Sequence, residues 1–200
     1  METPLNQNYW DTRYAQQQIG WDLGTVSPPL QAYFDQLPDK TIKILIPGGG
    51  NSYEAVYLLQ QGFTDVTVVD LSAVVIETLG KRCAEYLGSG LNLVHQDFFE
   101  HTGKYDLIVE QTFFCALDPA LRVQYVQHMQ KLLKVNGKLA GLLFDRDFVG
   151  GPPFGGHAAE YQALMNTSLS VLKMEPCYNS IGPRQGSEVF FIAERLEEIH

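Results

Sequence analysis

The sequence predicts an α/β fold with a mostly parallel sheet and helices on both faces. Three observations predict it. Short apolar runs alternate with longer segments whose apolar residues recur at helical spacing. The first run is followed at once by three glycines. The second run closes on an acid, Asp70, placed 20 residues after Gly50, the spacing at which a nucleotide-binding βαβ unit sets a carboxylate on ribose hydroxyls.

The elements follow in order. Residues 1–38 are polar and aromatic, rich in Gln and Pro, and lack strand runs. They are read as a helical N-terminal arm that covers something, with 39–200 as the core of one domain. Ile42, Ile44, Leu45 and Ile46 form a strand buried on both faces. Gly48, Gly49 and Gly50 let the backbone turn sharply and let a ligand lie against it. Ser52 is expected to cap a helix carrying Val56 and Leu59 on one face. Val66, Val68 and Val69 make the second strand, and a helix over 73–87 comes next. Leu91–His95 is the third strand, and the apolar run at 105–109 is the fourth, ending at Glu110. Asp118 and Pro119 start a helix whose apolar residues reach Leu133, with Asn136-Gly137 as its stop. Residues 139–144 form the fifth strand. A GGPPFGG loop (150–156) leads to a helix expected over 158–172, and Glu188–Ala193 is a late strand.

Composition bounds the function. Two hundred residues suffice for one α/β domain with a full core. The formal net charge is -9 and no basic run occurs, so a nucleic-acid substrate is disfavoured. No apolar stretch approaches the ~20 residues of a membrane span, and the N-terminus lacks the basic and apolar regions of a signal peptide. Cys83, Cys115 and Cys177 are odd in number and far apart, which fits reduced thiols in a cytoplasm and suggests neither a disulfide framework nor a metal site. No long exposed apolar helix forces a dimer; a monomer or weak homo-oligomer is expected.

The glycine turn does not carry a dinucleotide fingerprint. The frame from Gly48 gives Gly48, Gly50 and then Tyr53, where close helix–strand packing wants a small residue. That disfavours a nucleotide-dependent oxidoreductase, and a P-loop is absent. A ligand without a diphosphate, such as an adenosine carrying an amino acid, fits what remains.

Four segments carry a family resemblance: Gly20-Trp21-Asp22-Leu23-Gly24 with Pro28, Leu45-Ile46-Pro47-Gly48-Gly49-Gly50, Phe113-Phe114-Cys115-Ala116, and Gly150-Gly151-Pro152-Pro153-Phe154. In these the chain resembles S-adenosylmethionine-dependent methyltransferases of the thiopurine methyltransferase superfamily, especially the plant-type halide/thiol branch. Gly49 stands where that branch commonly has Cys, and Glu110-Gln111 where Asp and an aromatic are common. The resemblance implies a Rossmann-like class I methyltransferase fold with a seven-stranded sheet, and a small-molecule substrate. It implies that Gly48 and Gly50 admit the methionine part of the cofactor, and that Asp70 accepts from the ribose while Leu71 presses on adenine. It places Asp97 and Phe98 at the adenine edge. Glu110, at a strand end, either sits near the cofactor amino group or caps the strand. Trp10 and Trp21 lie in an arm that closes over the sulfonium, where an aromatic face gains cation–π attraction. Phe113, Phe114, Pro153 and Phe154, with Tyr14 from the arm, would line the acceptor pocket. Arg184 either holds an anion or pairs with a carboxylate. A neutral thiol would need a base, for which only Asp145, Asp147, Tyr14 or His157 offer themselves; halide and hydrosulfide need none. An aromatic-thiol methyltransferase and a cofactor-binding protein without catalysis are the alternatives.

Overall fold

A computed structural model of the chain describes residues 4–196. Seven strands form one sheet in the order β3-β2-β1-β4-β5-β7-β6. They are β1 (Ile44–Pro47), β2 (Val66–Asp70), β3 (Leu91–His95), β4 (Tyr105–Gln111), β5 (Leu133–Phe144), β6 (Ser170–Pro176) and β7 (Glu188–Glu194). Strands β1 to β5 pair in parallel. Strand β7 runs antiparallel to both β5 and β6. The α/β class, the predominantly parallel sheet and the strand number are as expected.

Side chains alternate across a strand, so each strand feeds two cores. Leu45 joins Ile108, Tyr125, Met129, Tyr161 and Phe191 on one face. Its neighbours Ile44 and Ile46 join Leu58, Val68 and Leu79 on the other. The first face is covered by α5 (Arg122–Leu132) and α6 (Ala158–Met165), the second by α3 (Tyr53–Gln60) and α4 (Ala73–Arg82). The segment expected as an arm divides in two. Helix α1 (Gln7–Ala15) buries none of its residues, whereas α2 (Pro28–Phe34) sinks Leu30 and Phe34 into the second core. Covering the cleft is therefore left to α1 and the loop after it.

Strand β1 is flanked by β2 on one side and β4 on the other. Connections leave it in opposite directions, and the carboxyl ends of the strands diverge into a crevice, the usual ligand position in an open α/β sheet.

Four local expectations are corrected. The helix expected to reach residue 172 stops at Met165, and Ser170–Pro176 is strand β6 at the sheet edge. The helix expected to end at Asn136-Gly137 ends at Leu132; those two residues sit inside β5, where Asn136 takes φ 60° and a Cβ at Gly137 would crowd the Tyr105 carbonyl oxygen at 2.9 Å. This is a bulge, and the pairing of β4 with β5 shifts between Tyr105 and Leu107. Helix α4 closes at Arg82 and continues only as a short 3-10 turn over Ala84–Tyr86. Ser52 does not cap α3 with its side chain, because its backbone is left-handed at φ 46°.

Candidate active site

The crevice at the carboxyl ends of β1 to β5 encloses a cleft of ≈1600 Å³. Its floor is the glycine turn. Gly48 and Gly50 take φ +55° and +52°, values that residues with a Cβ rarely adopt. A Cβ on Gly48 would overlap the Phe113 ring, and one on Gly50 the Tyr14 hydroxyl. Phe113 and Tyr14 thus press on the turn at Gly48 and Gly50, which only bare backbone allows.

Asp70 closes β2 beside this turn. Its Oδ2 accepts from the Gly50 amide at 3.0 Å and its Oδ1 from the Ser72 amide at 2.8 Å. A carboxylate offers about four lone-pair sites, so each oxygen keeps capacity for one more donor. Burial pushes the Asp70 carboxyl up, against the pull of the two amides. Leu71 lies next along the wall. Asp97 caps the short turn Phe98–Glu100 by accepting from the Phe99 amide at 2.8 Å, and Phe98 meets the Phe113 ring edge-on at 5.1 Å.

Helix α1 and its following loop form the roof. Trp10 and Trp21 stack edge-to-face at 5.8 Å, and Tyr14 meets Trp21 at 5.9 Å; all three line the cleft. Asp11 clasps α1 to the start of α4, accepting from the Ser72 hydroxyl at 2.6 Å and the Val74 amide at 3.3 Å. Partial burial works upward on the Asp11 carboxyl, but these donors together hold it below the usual carboxylate value. Further along the loop, Asp22 accepts from the Gly24 amide at 2.6 Å and from the Asn51 side chain. Arg184 donates to the Trp21 carbonyl at 2.7 Å while paired with Glu188 at 3.1 Å. Of the two readings open for Arg184, the carboxylate pair is the one formed.

The other half of the cleft is aromatic and apolar, with Phe113, Phe148, Pro153 and Phe154 on its wall. The Phe154 amide donates to the Cys115 carbonyl at 2.7 Å, which ties the 150–156 loop to the turn after β4. Arg146 stands at the rim over the Phe148 ring at 4.8 Å.

Two expected residues do not face the cleft. Phe114 is 1% exposed and packs edge-on against Tyr125 and Tyr161 at 5.0 and 5.4 Å. Thr112, at φ 60°, turns the backbone so that Phe113 faces out and Phe114 faces in. Glu110 is completely buried. Its Oε1 accepts from the Phe113 and Phe114 amides at 2.8 and 3.0 Å, and its Oε2 from the Tyr125 hydroxyl at 2.6 Å. It caps the strand end, and burial pushes its carboxyl up to about 7 despite these donors.

Among the base candidates, only Tyr14 lines the cleft, and burial followed by the Asp70 charge pushes its hydroxyl well up. Asp145 instead caps α6, accepting from the Ala158 amide at 3.1 Å, with His157 at 3.3 Å. Burial pushes the Cys115 thiol up to about 12. Among the described residues no group of three or more His, Cys, Asp or Glu is placed to hold a metal ion.

The remaining residues suit an adenosine-linked amino acid. The turn has bare backbone on its ligand side, Asp70 has spare acceptor capacity, and the buried Ser52 hydroxyl on the same wall has no hydrogen-bond partner. Asp11 and Glu54 contribute to this wall and roof without a sequence signal of their own, since these bonds reach 27 to 63 positions along the chain, and Asp22 of the Gly20–Gly24 segment adds a bond to Asn51, 29 positions away.

Known proteins point the same way. The family model for thiopurine S-methyltransferase matches residues 5–199. "Probable thiol methyltransferase 2" of Arabidopsis thaliana is 30% identical over 184 residues, covering 90% of this chain and 81% of that one. "Thiocyanate methyltransferase 1" of the same plant is 28% identical, covering 90% and 81%. The thiopurine S-methyltransferase of Acinetobacter baylyi is 29% identical, covering 80% and 83%. In fold, the chain is similar to the 1,6-didemethyltoxoflavin-N1-methyltransferase of Burkholderia thailandensis, solved with S-adenosylhomocysteine (TM-score 0.75, 16% identity, 98% and 94% covered). It is also similar to the magnesium protoporphyrin IX methyltransferase of Synechocystis, solved with S-adenosylmethionine (TM-score 0.68, 16% identity, 98% and 86% covered). The chain belongs to the thiopurine S-methyltransferase family and is an S-adenosylmethionine-dependent methyltransferase.

Proposed function

We propose that the protein methylates small soft nucleophiles that arrive already ionised: thiolate, hydrosulfide, thiocyanate or halide. One observation carries this reading. The acceptor half of the cleft offers an aromatic, apolar surface of Phe113, Phe148, Pro153 and Phe154, and of the base candidates only Tyr14 reaches it. Tyr14 is held protonated, Cys115 is held as a thiol, and Asp145, Asp147 and His157 lie off the wall. Asp97 and Asp118 also line the cleft, each with one carboxylate oxygen capping a short turn.

Bound S-adenosylmethionine supplies a methyl group on a sulfonium, open to in-line displacement. The chain's own residues bind, orient and exclude water. Asp70 takes the ribose hydroxyls on its two free lone-pair positions. Leu71, Asp97 and Phe98 hold the adenine, and the Gly48–Gly50 backbone admits the methionine part. Trp10 and Trp21 close over the sulfonium, where an aromatic face adds roughly 0.5–2 kcal/mol of cation–π attraction. Phe113, Pro153 and Phe154, with Tyr14, shape a dry acceptor pocket, and the exposed guanidinium of Arg146 attracts an anion to its mouth. Holding both reactants close and aligned supplies up to ~7–11 kcal/mol of the barrier.

The size of the cleft favours one variant of this reading. At ≈1600 Å³ it exceeds the ~300–1,000 Å³ of common single-ligand sites, so an organic thiol, aromatic ones included, has room beside the cofactor. Incubation with S-adenosylmethionine and iodide, thiocyanate or hydrosulfide, with headspace sampling, is expected to yield methylated product. A parallel series with aromatic thiols ranks the organic branch. Cofactor binding without turnover of any of these nucleophiles would overturn the reading in favour of a non-catalytic binder.

A further inference from the structure

We propose that Glu54 is the acceptor for the ammonium group of the cofactor's methionine moiety. The inference rests on the family membership and the cofactor that comes with it. Strand β1 ends in Ile46 and Pro47, so it brings no carboxylate to the glycine turn. The first turn of α3 does. Glu54 lies four residues past Gly50 in the sequence and lines the same cleft as Trp21 and Asp22 of the roof.

Its surroundings are unusual for a carboxylate. Glu54 is only 5% exposed, and a buried charge is costly unless it is paired. Among the described residues no cation stands within ion-pair distance of it. The Ser27 amide donates to Oε1 at 3.2 Å. The Arg184 guanidinium is committed to Glu188 and the Trp21 carbonyl. Asp22 adds more negative charge nearby but has its own donors in Gly24 and Asn51. Burial pushes the Glu54 carboxyl up, with the Asp22 charge adding to the effect. An ammonium would supply both the missing charge and strong donors.

A second buried polar group in the same segment also lacks a partner. The Ser52 hydroxyl, two residues earlier on this wall and 2% exposed, is buried without any hydrogen-bond partner. Two buried acids thus line the cleft together with the glycine turn, Asp70 bonded to the Gly50 amide and Glu54 in the first turn of the helix that follows. That arrangement suits one ligand bearing hydroxyls at one end and an amino acid at the other.

The test compares two ligands on two proteins. S-adenosylhomocysteine carries the ammonium; 5′-methylthioadenosine keeps the adenosine and sulfur but has no amino acid. Calorimetry on Glu54→Gln is expected to show S-adenosylhomocysteine weakened at least tenfold and 5′-methylthioadenosine unchanged within twofold. Glu54→Asp, which retains the charge, serves if the glutamine variant does not fold, and is expected to lose less while keeping the same selectivity. Equal loss of both ligands would make Glu54 merely structural, and an unchanged S-adenosylhomocysteine affinity would overturn the proposal. Failure of the unaltered protein to bind S-adenosylhomocysteine would instead strike at the cofactor reading beneath it.

Discussion

Replacing Glu110 by Gln isolates the energetic consequence of burying one carboxylate. Glu110 is fully buried, and its carboxyl is pushed up to about 7 from an ordinary value of 4.5. At ~1.4 kcal/mol per pK unit, that difference is on the order of 3–4 kcal/mol. The sign follows from proton linkage. The folded state holds the proton more tightly, so this contribution to stability is complete below pH ~4.5. It is lost as pH rises toward 7, and above 7 the full penalty of a buried charge stands. Glutamine fits the same contacts: its Oε1 accepts from the Phe113 and Phe114 amides, and its Nε2 donates to the Tyr125 hydroxyl, which accepts. Urea denaturation of both proteins between pH 4.5 and 8 should therefore show Glu110→Gln gaining on the parent as pH rises, by roughly 3–4 kcal/mol at most. Stability curves that stay parallel within ~0.5 kcal/mol across that range would refute the reasoning. The difference between the two proteins, rather than either curve alone, is the readout, because Asp70 and Glu54 also titrate upward.

Three further predictions concern the cleft and its roof. Asp70→Ala should weaken S-adenosylhomocysteine binding by ~1.5–3 kcal/mol through loss of charged hydrogen bonds; calorimetry decides, and unchanged affinity removes the ribose assignment. Gly48→Ala forces a Cβ into the Phe113 ring at a backbone angle that disfavours it, so a thermal melt should show ~1–3 kcal/mol of lost stability and binding should fall with it. Arg184→Met leaves Glu188 buried and unpaired, for ~3–5 kcal/mol. In a chain of this size that is a melting-point drop of about 6–20 °C, readable by calorimetric scanning.

Much of this was legible in the sequence, and the misses have physical causes. Strands β1, β2 and β4 lie inside the sheet and are buried along most of their length, so apolar runs announce them, while β3, at the edge opposite β6, shows only Leu91, Leu93 and Val94 interrupted by the polar Asn92. Strand β6 lies at the edge and pairs only with β7. Its Leu172, Lys173, Met174 and Glu175 favour helix in isolation, and a register shift between Val171 and Lys173 breaks the alternation; pairing with β7 overrides the local preference. Asn136-Gly137 supplies the left-handed backbone that either a helix stop or a bulge needs, and only the partner strand decides which. The pair Phe113-Phe114 could not be divided into cleft and core without the turn at Thr112. Glu110 was open between two roles, and the three donors converging on it settle that it caps the strand. Asp11 and Glu54 act on distant partners, which no local pattern reveals.

The sheet order has a consequence for how such a protein can change. Every residue proposed to hold the cofactor from below follows β1, β2 or β3, while Phe113, Arg146, Phe148, Pro153 and Phe154 all follow β4 or β5. The two halves meet at the β1–β4 seam, where Phe113 leans on Gly48. On the proposed assignments, the roof with Tyr14, Trp10 and Trp21 serves both ligands, whereas below it the residues for the methyl acceptor and those for the methyl donor belong to separate stretches of chain. Grafting the 112–118 and 146–156 segments from a relative with another acceptor should redirect the chemistry while leaving the donor site intact. The fold behaves as an adapter with one fixed socket and one interchangeable one.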